Sequence, residues 1–429
     1  MKLKEFQIKI KNNPLINDSF WAVFGNVIGK GFSFAGGIAI ARLLGKEGFG
    51  EYSFITSTLI SSSILSTLGI GYTSTKYISQ YKQKNKDIIF EIIRISKKIT
   101  LFGSGLLSLI LFVLSNYIAT HFLNSESLHW ELKILSVWVV LNALTTTQIG
   151  ILAGFGLFKE MTKINTLVGI ISFTTSITFA LYGGLRGALA SLLLIQTINW
   201  YLNNKLVKQQ GYNYGSTKQN GIATEMIKFS IPIALQEALY AVVTWVLSWS
   251  FLKFSTVGEL GVYQAAIQMS TLLLFVPGIL RNVFLAHFSE VSDDQFVGKR
   301  ILKHTLLING ISVFIPFLVS LIFIEEINQF YGAKFGNIKY LILISCITAM
   351  FTSLTNVYNQ ALLSSGKNWI IFWSRIIRDV LLITCFIILV QNGLSSSSVL
   401  VNINLVFSSI YLIVILIIHK ILTKDILVK

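Results

Sequence analysis

The sequence predicts an all-α polytopic membrane protein, and three observations favour this fold class. Hydrophobic residues make up 53% of the chain, charged residues only 13%, and the mean hydropathy is +0.68. Apolar runs of about 20 residues recur along the whole length, and each can cross about 30 Å of hydrocarbon as a helix. No predicted loop on the outer side is long enough to form a soluble domain, so the function must be carried by the helices and the space between them.

Taken in order, the apolar runs define twelve predicted spans, numbered 1 to 12 below. They cover residues 20–43, 52–74, 99–122, 133–157, 164–184, 186–203, 229–252, 260–285, 305–324, 339–364, 369–391 and 398–419. We expect an N-terminal lobe at residues 1–210, with a basic N-terminal segment and spans 1–6, and a C-terminal lobe at residues 211–429 with spans 7–12.

The distribution of basic residues predicts the orientation. With the N-terminus inside, 24 of the 35 lysines and arginines fall on the inner side and 7 in outer loops or at the outer ends of spans. This asymmetry is typical of a protein whose two termini are both cytoplasmic. The first 20 residues lack a continuous apolar stretch and a cleavage site, so we expect no cleaved signal peptide. The net charge of +16 is thereby explained by topology, and a nucleic-acid partner is not expected.

A short motif indicates an internal repeat. Gly50-Glu51-Tyr52 and Gly261-Val262-Tyr263 each begin a span after a loop, and their separation is close to half the chain. Six spans in each half give both halves the same orientation, which is the parallel type of transporter repeat. We therefore expect two pseudo-symmetric six-helix lobes.

One lysine lies near the centre of span 1. A lysine at mid-helix costs about 2.5–3.5 kcal/mol on insertion scales, so it normally faces protein or water and has a role. Lys30 is therefore a candidate for binding a ligand, together with Asn26 one helical turn before it. The alternative is a structural lysine, paired with a carboxylate or a helix dipole.

Other charges within spans are few: Glu237, Arg281, Arg375, Arg378 and Asp379. Arg281 follows Pro277 by four residues, and the proline frees a backbone carbonyl and kinks the helix. Glu237 either neutralises Lys30 or serves as a protonatable coupling site, and the sequence prefers neither.

The charges of span 11 have a simpler explanation. Arg375 and Asp379 are four residues apart and can pair on one helix face, with Arg378 beside them. Because this group lies near the inner end of the span, a structural, snorkelling ion pair is the favoured interpretation and a coupling role the alternative.

Amides are the remaining candidates for the site. Gln264 and Gln268 lie on span 8, and further amides occur on most other spans. In lipid such residues commonly link helices, and as a set they also suggest a hydrated cavity suited to sugars. Walker A, zinc-binding and nucleophile-elbow patterns do not occur, and the five histidines do not cluster. We therefore expect no catalytic centre, metal or cofactor.

The stretch from Ala41 to Tyr52, ARLLGKEGFGEY, resembles the hinge between the first and second helices of the Wzx or O-antigen flippases. These proteins belong to the MOP superfamily and share a fold with MATE exporters and lipid II flippases. The continuation from Leu68 to Gly71, followed by a basic loop from Lys76, is similar as well.

The resemblance implies two six-helix lobes around a central cavity that opens alternately to each face of the membrane. It implies a polyprenyl-diphosphate-linked oligosaccharide as substrate, moved from the inner to the outer leaflet of the bacterial cytoplasmic membrane. Membrane lipids and other polysaccharide-assembly membrane proteins are the expected partners. The family's cavity is often cationic, and Lys30 and Arg281 match that pattern in type and span.

Two other functions remain open. A MATE-type exporter of small cations has the same topology but needs buried acids in its first lobe, where this chain has a deep lysine. A membrane glycan polymerase is also multi-span, but such enzymes typically carry a long outer loop with catalytic residues. The short outer loops favour a transporter over an enzyme.

Overall fold

The computed structural model describes residues 14–81, 86–123, 128–210, 221–278, 295–364, 367–394 and 396–424. These ranges contain helices, short 3₁₀ turns and loops, and no β-strand. The basic segment before residue 14 lies outside them.

The structure gives the bounds of twelve α-helices. They are α1 (Pro14–Thr67), α2 (Ile70–Tyr81), α3 (Lys86–His121), α4 (His129–Phe155), α5 (Phe158–Gln209), α6 (Ile222–Phe254), α7 (Val257–Leu273), α8 (Gln295–Ile322), α9 (Ile324–Tyr331), α10 (Lys339–Ser364), α11 (Asn368–Gln391) and α12 (Ser396–Lys424). The 3₁₀ turn Ala333–Phe335 follows α9.

The two longest helices are each two segments joined at a glycine. Helix α5 has 52 residues, which at 1.5 Å per residue is about 78 Å, more than twice the hydrocarbon core. It is interrupted at Gly184 (φ 54, ψ −135), and a Cβ on Gly187 would lie 1.8 Å from the carbonyl oxygen of Phe179. The chain therefore folds back here and separates span 5 from span 6. Gly45 (φ 72, ψ 179) separates span 1 from span 2 in the same way.

Span 2 is itself broken. Leu68 and Gly69 both have positive φ, 48° and 69°, and helices α1 and α2 meet there at an angle of 44°. A left-handed conformation is unfavourable for leucine, so this break is a strained feature of the backbone.

The helices confirm a multi-pass membrane protein. Seven described helices are long and apolar enough to cross a membrane, and the bent pair Gly31–Thr67 and Ile70–Tyr81 makes an eighth. Every predicted span falls on described helix over most of its length, and residues 279–285 of span 8 lie outside the described ranges. The predicted twelve-span pattern is consistent with these helices and their glycine breaks.

The chain forms two compact packing units. The first contains Met1–Leu44 and Glu51–Trp249, and the second contains Gly45–Gly50 and Ser250–Lys429. Most of span 7 thus packs with spans 1–6. The predicted lobe boundary at residue 210 divides the chain by its internal repeat, whereas these units divide it by packing. The boundary therefore stays a prediction.

The repeat motif marks a close helix contact inside the second unit. A Cβ on Gly50 would lie 1.9 Å from the carbonyl oxygen of Val257, and a Cβ on Gly261 would lie 1.9 Å from that of Lys46. Lys46 and Val257 each precede their glycine by four residues. The contact is therefore reciprocal, as a two-fold relation between the starts of spans 2 and 8 requires.

This contact predicts that Gly50→Ala destabilises the protein by about 1–3 kcal/mol, because the added methyl forces two backbones apart. The matched control is Gly310→Ala in α8, where a Cβ meets nothing within 4 Å. That control should be stabilised by about 0.5–1 kcal/mol, since alanine favours helix. Thermal unfolding of the detergent-purified variants measures both changes. Equal melting of Gly50→Ala and the unchanged protein would contradict the contact.

Candidate functional site

Span 1 is held against span 5 by glycines. A Cβ on Gly29 would lie 2.5 Å from the carbonyl oxygen of Asn165, and a Cβ on Gly169 would lie 2.6 Å from that of Gly29. One face of span 1, continued at Gly36 against Phe173, is therefore fixed on span 5. This fixes the rotation of span 1 about its own axis within the first unit.

Lys30 lies near the middle of the first segment of α1, between Pro14 and the break at Gly45. At 1.5 Å per residue it is about 24 Å from Pro14 and about 22 Å from Gly45. Successive helical residues are about 100° apart, so Lys30 stands on a face beside the one that Gly29 places on span 5. The side chains of Asn26 and Lys30 lie outside the described part of the structure. Ser33, one turn after Lys30, is exposed, and its hydroxyl donates to the carbonyl of Gly29 at 3.0 Å.

Glu237 lies on a polar seam between spans 2 and 7. Hydroxyl groups and one indole bridge these helices along their length. The bridging contacts are Ser57–Ser248 at 3.2 Å, Trp245 to Thr58 at 3.1 Å, Ser61 to the Ala241 carbonyl at 3.1 Å and Thr73–Ser230 at 2.6 Å. Positions 230, 234, 237, 241, 245 and 248 are three or four residues apart, which is the spacing of one helix face.

Two consequences follow for Glu237. It is half-buried and close in register to the break of span 2, because Ile233, one turn earlier, packs against Gly69. It also belongs to the same packing unit as span 1, although the sequence places it in the second lobe. The first unit therefore contains both Lys30 and this acid. Pairing with Lys30 and a coupling role both stay predictions.

Several polar side chains in the first unit are occupied by helix contacts. The amide of Gln196 donates to Thr145 at 2.9 Å, and that of Asn142 donates to Ser63 at 2.9 Å. The hydroxyls of Thr100 and Thr147 lie 2.6 Å apart. These residues link spans 2, 3, 4 and 6, which is the structural role expected of polar groups in lipid.

The carbonyl oxygen of Gln268, in the second unit, already accepts a hydrogen bond within the protein. The phenol of Tyr331 donates to its Oε1 (3.1 Å) and to the carbonyl of Ala265 (3.0 Å). Tyr331 is fully buried, and burial raises the pKa of its phenol, so the group stays neutral and acts as a donor. Among the described residues, the hydrogen bond of Gln268 to Tyr331 uses only its carbonyl oxygen, and ligand binding by its amide nitrogen stays a prediction. Gln264 is half-buried, and Arg281 lies outside the described residues.

The charged group of span 11 contains the expected i, i+4 pair of Arg375 and Asp379, but the adjacent Arg378 is the closer partner. Asp379 is 2% exposed, and its nearest partner is the adjacent Arg378, whose Nε donates at 2.7 Å and whose Nη2 contacts the same oxygen. Arg375 is a looser partner, with Nε 3.8 Å from Oδ2. The guanidinium of Arg378 also stacks over the Tyr411 ring at 4.9 Å. Two cations thus share one buried carboxylate.

A second buried acid was not predicted from the sequence. Glu91 is 7% exposed on α3 and accepts a hydrogen bond from Arg94 at 2.8 Å. The i, i+3 spacing of acid and base is the signal that identifies such a pair. Its partner lies on the same helix, which favours a structural role.

The chain is similar to known membrane proteins in sequence and in fold. Over 399 residues, the chain is 23% identical to an uncharacterized membrane protein of Methanocaldococcus jannaschii, covering 88% of this chain and 91% of that protein. An inward-facing multidrug resistance MATE family transporter of the MOP superfamily has a TM-score of 0.75 at 14% identity, covering 95% of this chain and 99% of that chain. A MOP superfamily transporter from Pyrococcus furiosus gives a TM-score of 0.68 at 14% identity, covering 96% and 98%.

These structural likenesses show that the fold is the MOP, or MATE-like, fold. Residues 15–281, more than half of the chain, match the family of polysaccharide biosynthesis proteins. The match includes both hinge segments that carried the resemblance to Wzx flippases, residues 41–52 and 68–71. The chain therefore belongs to the polysaccharide biosynthesis protein family and has the fold of MOP superfamily transporters.

Proposed function

We propose that this protein is a flippase for polyprenyl-diphosphate-linked oligosaccharides. The observation that carries the proposal is membership of a polysaccharide biosynthesis family combined with a transporter fold. A membrane transporter that serves polysaccharide synthesis needs a cargo that is made on one side of the membrane and used on the other. An oligosaccharide carried on a lipid diphosphate meets that requirement.

The proposed mechanism is alternating access of a cationic cavity in the cytoplasmic membrane, with both termini cytoplasmic. Lys30 and Arg281 bind the diphosphate, because charge-assisted contacts to phosphate oxygens are strong at low dielectric. Asn26, Gln264 and Gln268 donate to sugar hydroxyls, and the lipid tail stays in the bilayer. A cation in span 1 supports an anionic cargo over the small cations of a MATE-type exporter.

The test is complementation of a deletion strain. Loss of the gene should cause lipid-linked repeat units to accumulate on the inner leaflet and abolish surface polysaccharide. Lys30→Ala should fail to restore display at normal protein level, and Lys30→Arg should restore it in part, because the charge is kept but the geometry changes. Lys163→Ala, which removes an exposed lysine near the start of α5, is the control and should restore display fully.

Normal display with Lys30→Ala would refute the binding role of this lysine. Altered drug sensitivity on deletion, with normal polysaccharide, would instead favour a MATE-type exporter. Altered chain length without loss of translocation would favour a glycan polymerase.

A structural role for the span 11 cluster leads to a separate prediction. Asp379→Asn should destabilise the protein by about 3 kcal/mol, because it leaves the partly buried Arg378 unpaired. Arg375→Gln should cost less than about 1 kcal/mol, since its side chain is 37% exposed and its contact is long. Thermal unfolding measures both, and surface polysaccharide is normalised to the amount of folded protein. A loss of display per folded molecule in Asp379→Asn would show that the cluster takes part in coupling.

A further inference from the structure

A groove on the first unit is separate from every residue proposed above. It lies between α4 and the second segment of α5 and has a volume of about 350 Å³. Its walls are apolar and include Ile134, Leu135, Ala190, Leu193 and Leu194. This volume is within the range of about 300–1,000 Å³ that is usual for small-molecule sites.

An ion pair stands at one end of the groove. Arg186 Nε lies 2.8 Å from Glu131 Oε1, and the side chain of Arg186 is 63% exposed. Glu131 Oε2 is buried and has no hydrogen-bond partner in the described ranges. Because one nitrogen of the guanidinium holds Glu131, its other two nitrogens are the donors available to a ligand.

The surroundings of this end are those of a membrane interface. Trp130 is 62% exposed, and the ammonium of Lys133 lies 4.6 Å from its ring centre. Exposed tryptophan and basic residues are typical of the headgroup level. The charged residues that line the groove are Arg186 and Glu131, and Lys133, two residues after Glu131, adds a second cation at this level of the membrane. The resulting single positive charge complements the single negative charge of a phosphodiester.

The length of the groove matches one leaflet. It runs from Arg186 to Thr197, eleven residues along α5, or about 16 Å, which is about half of the hydrocarbon core. Both helices that form it are among those apolar enough to span the membrane. A groove lined by aliphatic side chains over this length suits an acyl chain better than water.

We propose that this groove is a phospholipid site, with one acyl chain between α4 and α5 and the phosphate on the free guanidinium nitrogens of Arg186. The site lies at the membrane face where spans 4 and 6 begin. It does not rest on the flippase function, because none of its residues belongs to the proposed cargo site.

Native mass spectrometry of the detergent-purified full chain tests the site. The two probes are phosphatidylglycerol and a diacylglycerol with the same chains. We expect the unchanged protein to retain the phospholipid roughly tenfold better than the diacylglycerol, the factor set by a charge-assisted contact. Ala190→Trp should lower retention of both probes roughly tenfold by filling the groove. Val113→Trp, at a 69% exposed position of α3 outside the groove, is the matched control and should change neither.

The charge is tested without leaving a buried carboxylate unpaired. Glu131→Gln keeps the cation, and the double variant Glu131→Gln with Arg186→Gln removes it. The single variant should retain the phospholipid, whereas the double variant should bind it no better than the diacylglycerol. An ion pair with a purely structural role predicts equal behaviour of the two variants, and that result would overturn the phosphate contact.

Equal retention by Ala190→Trp and Val113→Trp would overturn the groove as the chain site. If Ala190→Trp does not give a monodisperse protein, Leu194→Trp is the second groove-filling variant, since Leu194 is 39% exposed. Its result is interpreted in the same way. Surface polysaccharide in these variants is measured in parallel, so that failure of the lipid site is distinguished from failure of the flippase proposal.

Discussion

Close backbone contact at glycine is the constraint on which this structure depends. In lipid there is no hydrophobic force between helices, so association relies on packing and on small residues at the crossings. Gly29 and Gly169 join spans 1 and 5, and Gly150 approaches Gly71 so closely that a Cβ on it would lie 2.2 Å from the Gly71 carbonyl. These crossings set helix rotation, and helix rotation decides which side chains face a cavity.

Hydrogen bonds between hydroxyl and amide groups fix how the closely packed helices are aligned along their axes. The Gln196–Thr145 and Asn142–Ser63 contacts fix the register of helices that glycine alone would allow to slide. The same chemistry recognises sugars, so the polar residues of the spans are divided between holding helices and binding cargo. Gln268 has the structural use, because its carbonyl oxygen accepts from Tyr331, and binding of cargo by its amide nitrogen stays a prediction.

The sequence predicted the spans and the hinge because lipid permits little else. An apolar run must become a helix, and Gly45 and Gly184 supply the backbone angles that end one. The packing of span 7 with the first unit was not predictable, because its partners on span 2 are ordinary serines and threonines distant in the chain. The sequence also did not predict that Arg378 is the main partner of Asp379. Helical spacing pairs residues three or four apart, whereas the long side chain of Arg378 reaches the adjacent residue.

The basic residues of span 11 and of span 1 differ in whether an acid on the same helix balances their charge. In span 11 the excess positive charge lies beside a carboxylate two per cent exposed, so much of it is neutralised by the helix that carries it. Span 1 has no acid between Asp18 and Glu47, so the counter-charge of Lys30 must come from another helix or from a ligand. Glu237 of the same unit, the dipole of a neighbouring helix and a bound diphosphate are the predicted sources. A cation whose partner is not fixed by its own helix is the kind that binding and release of an anion require.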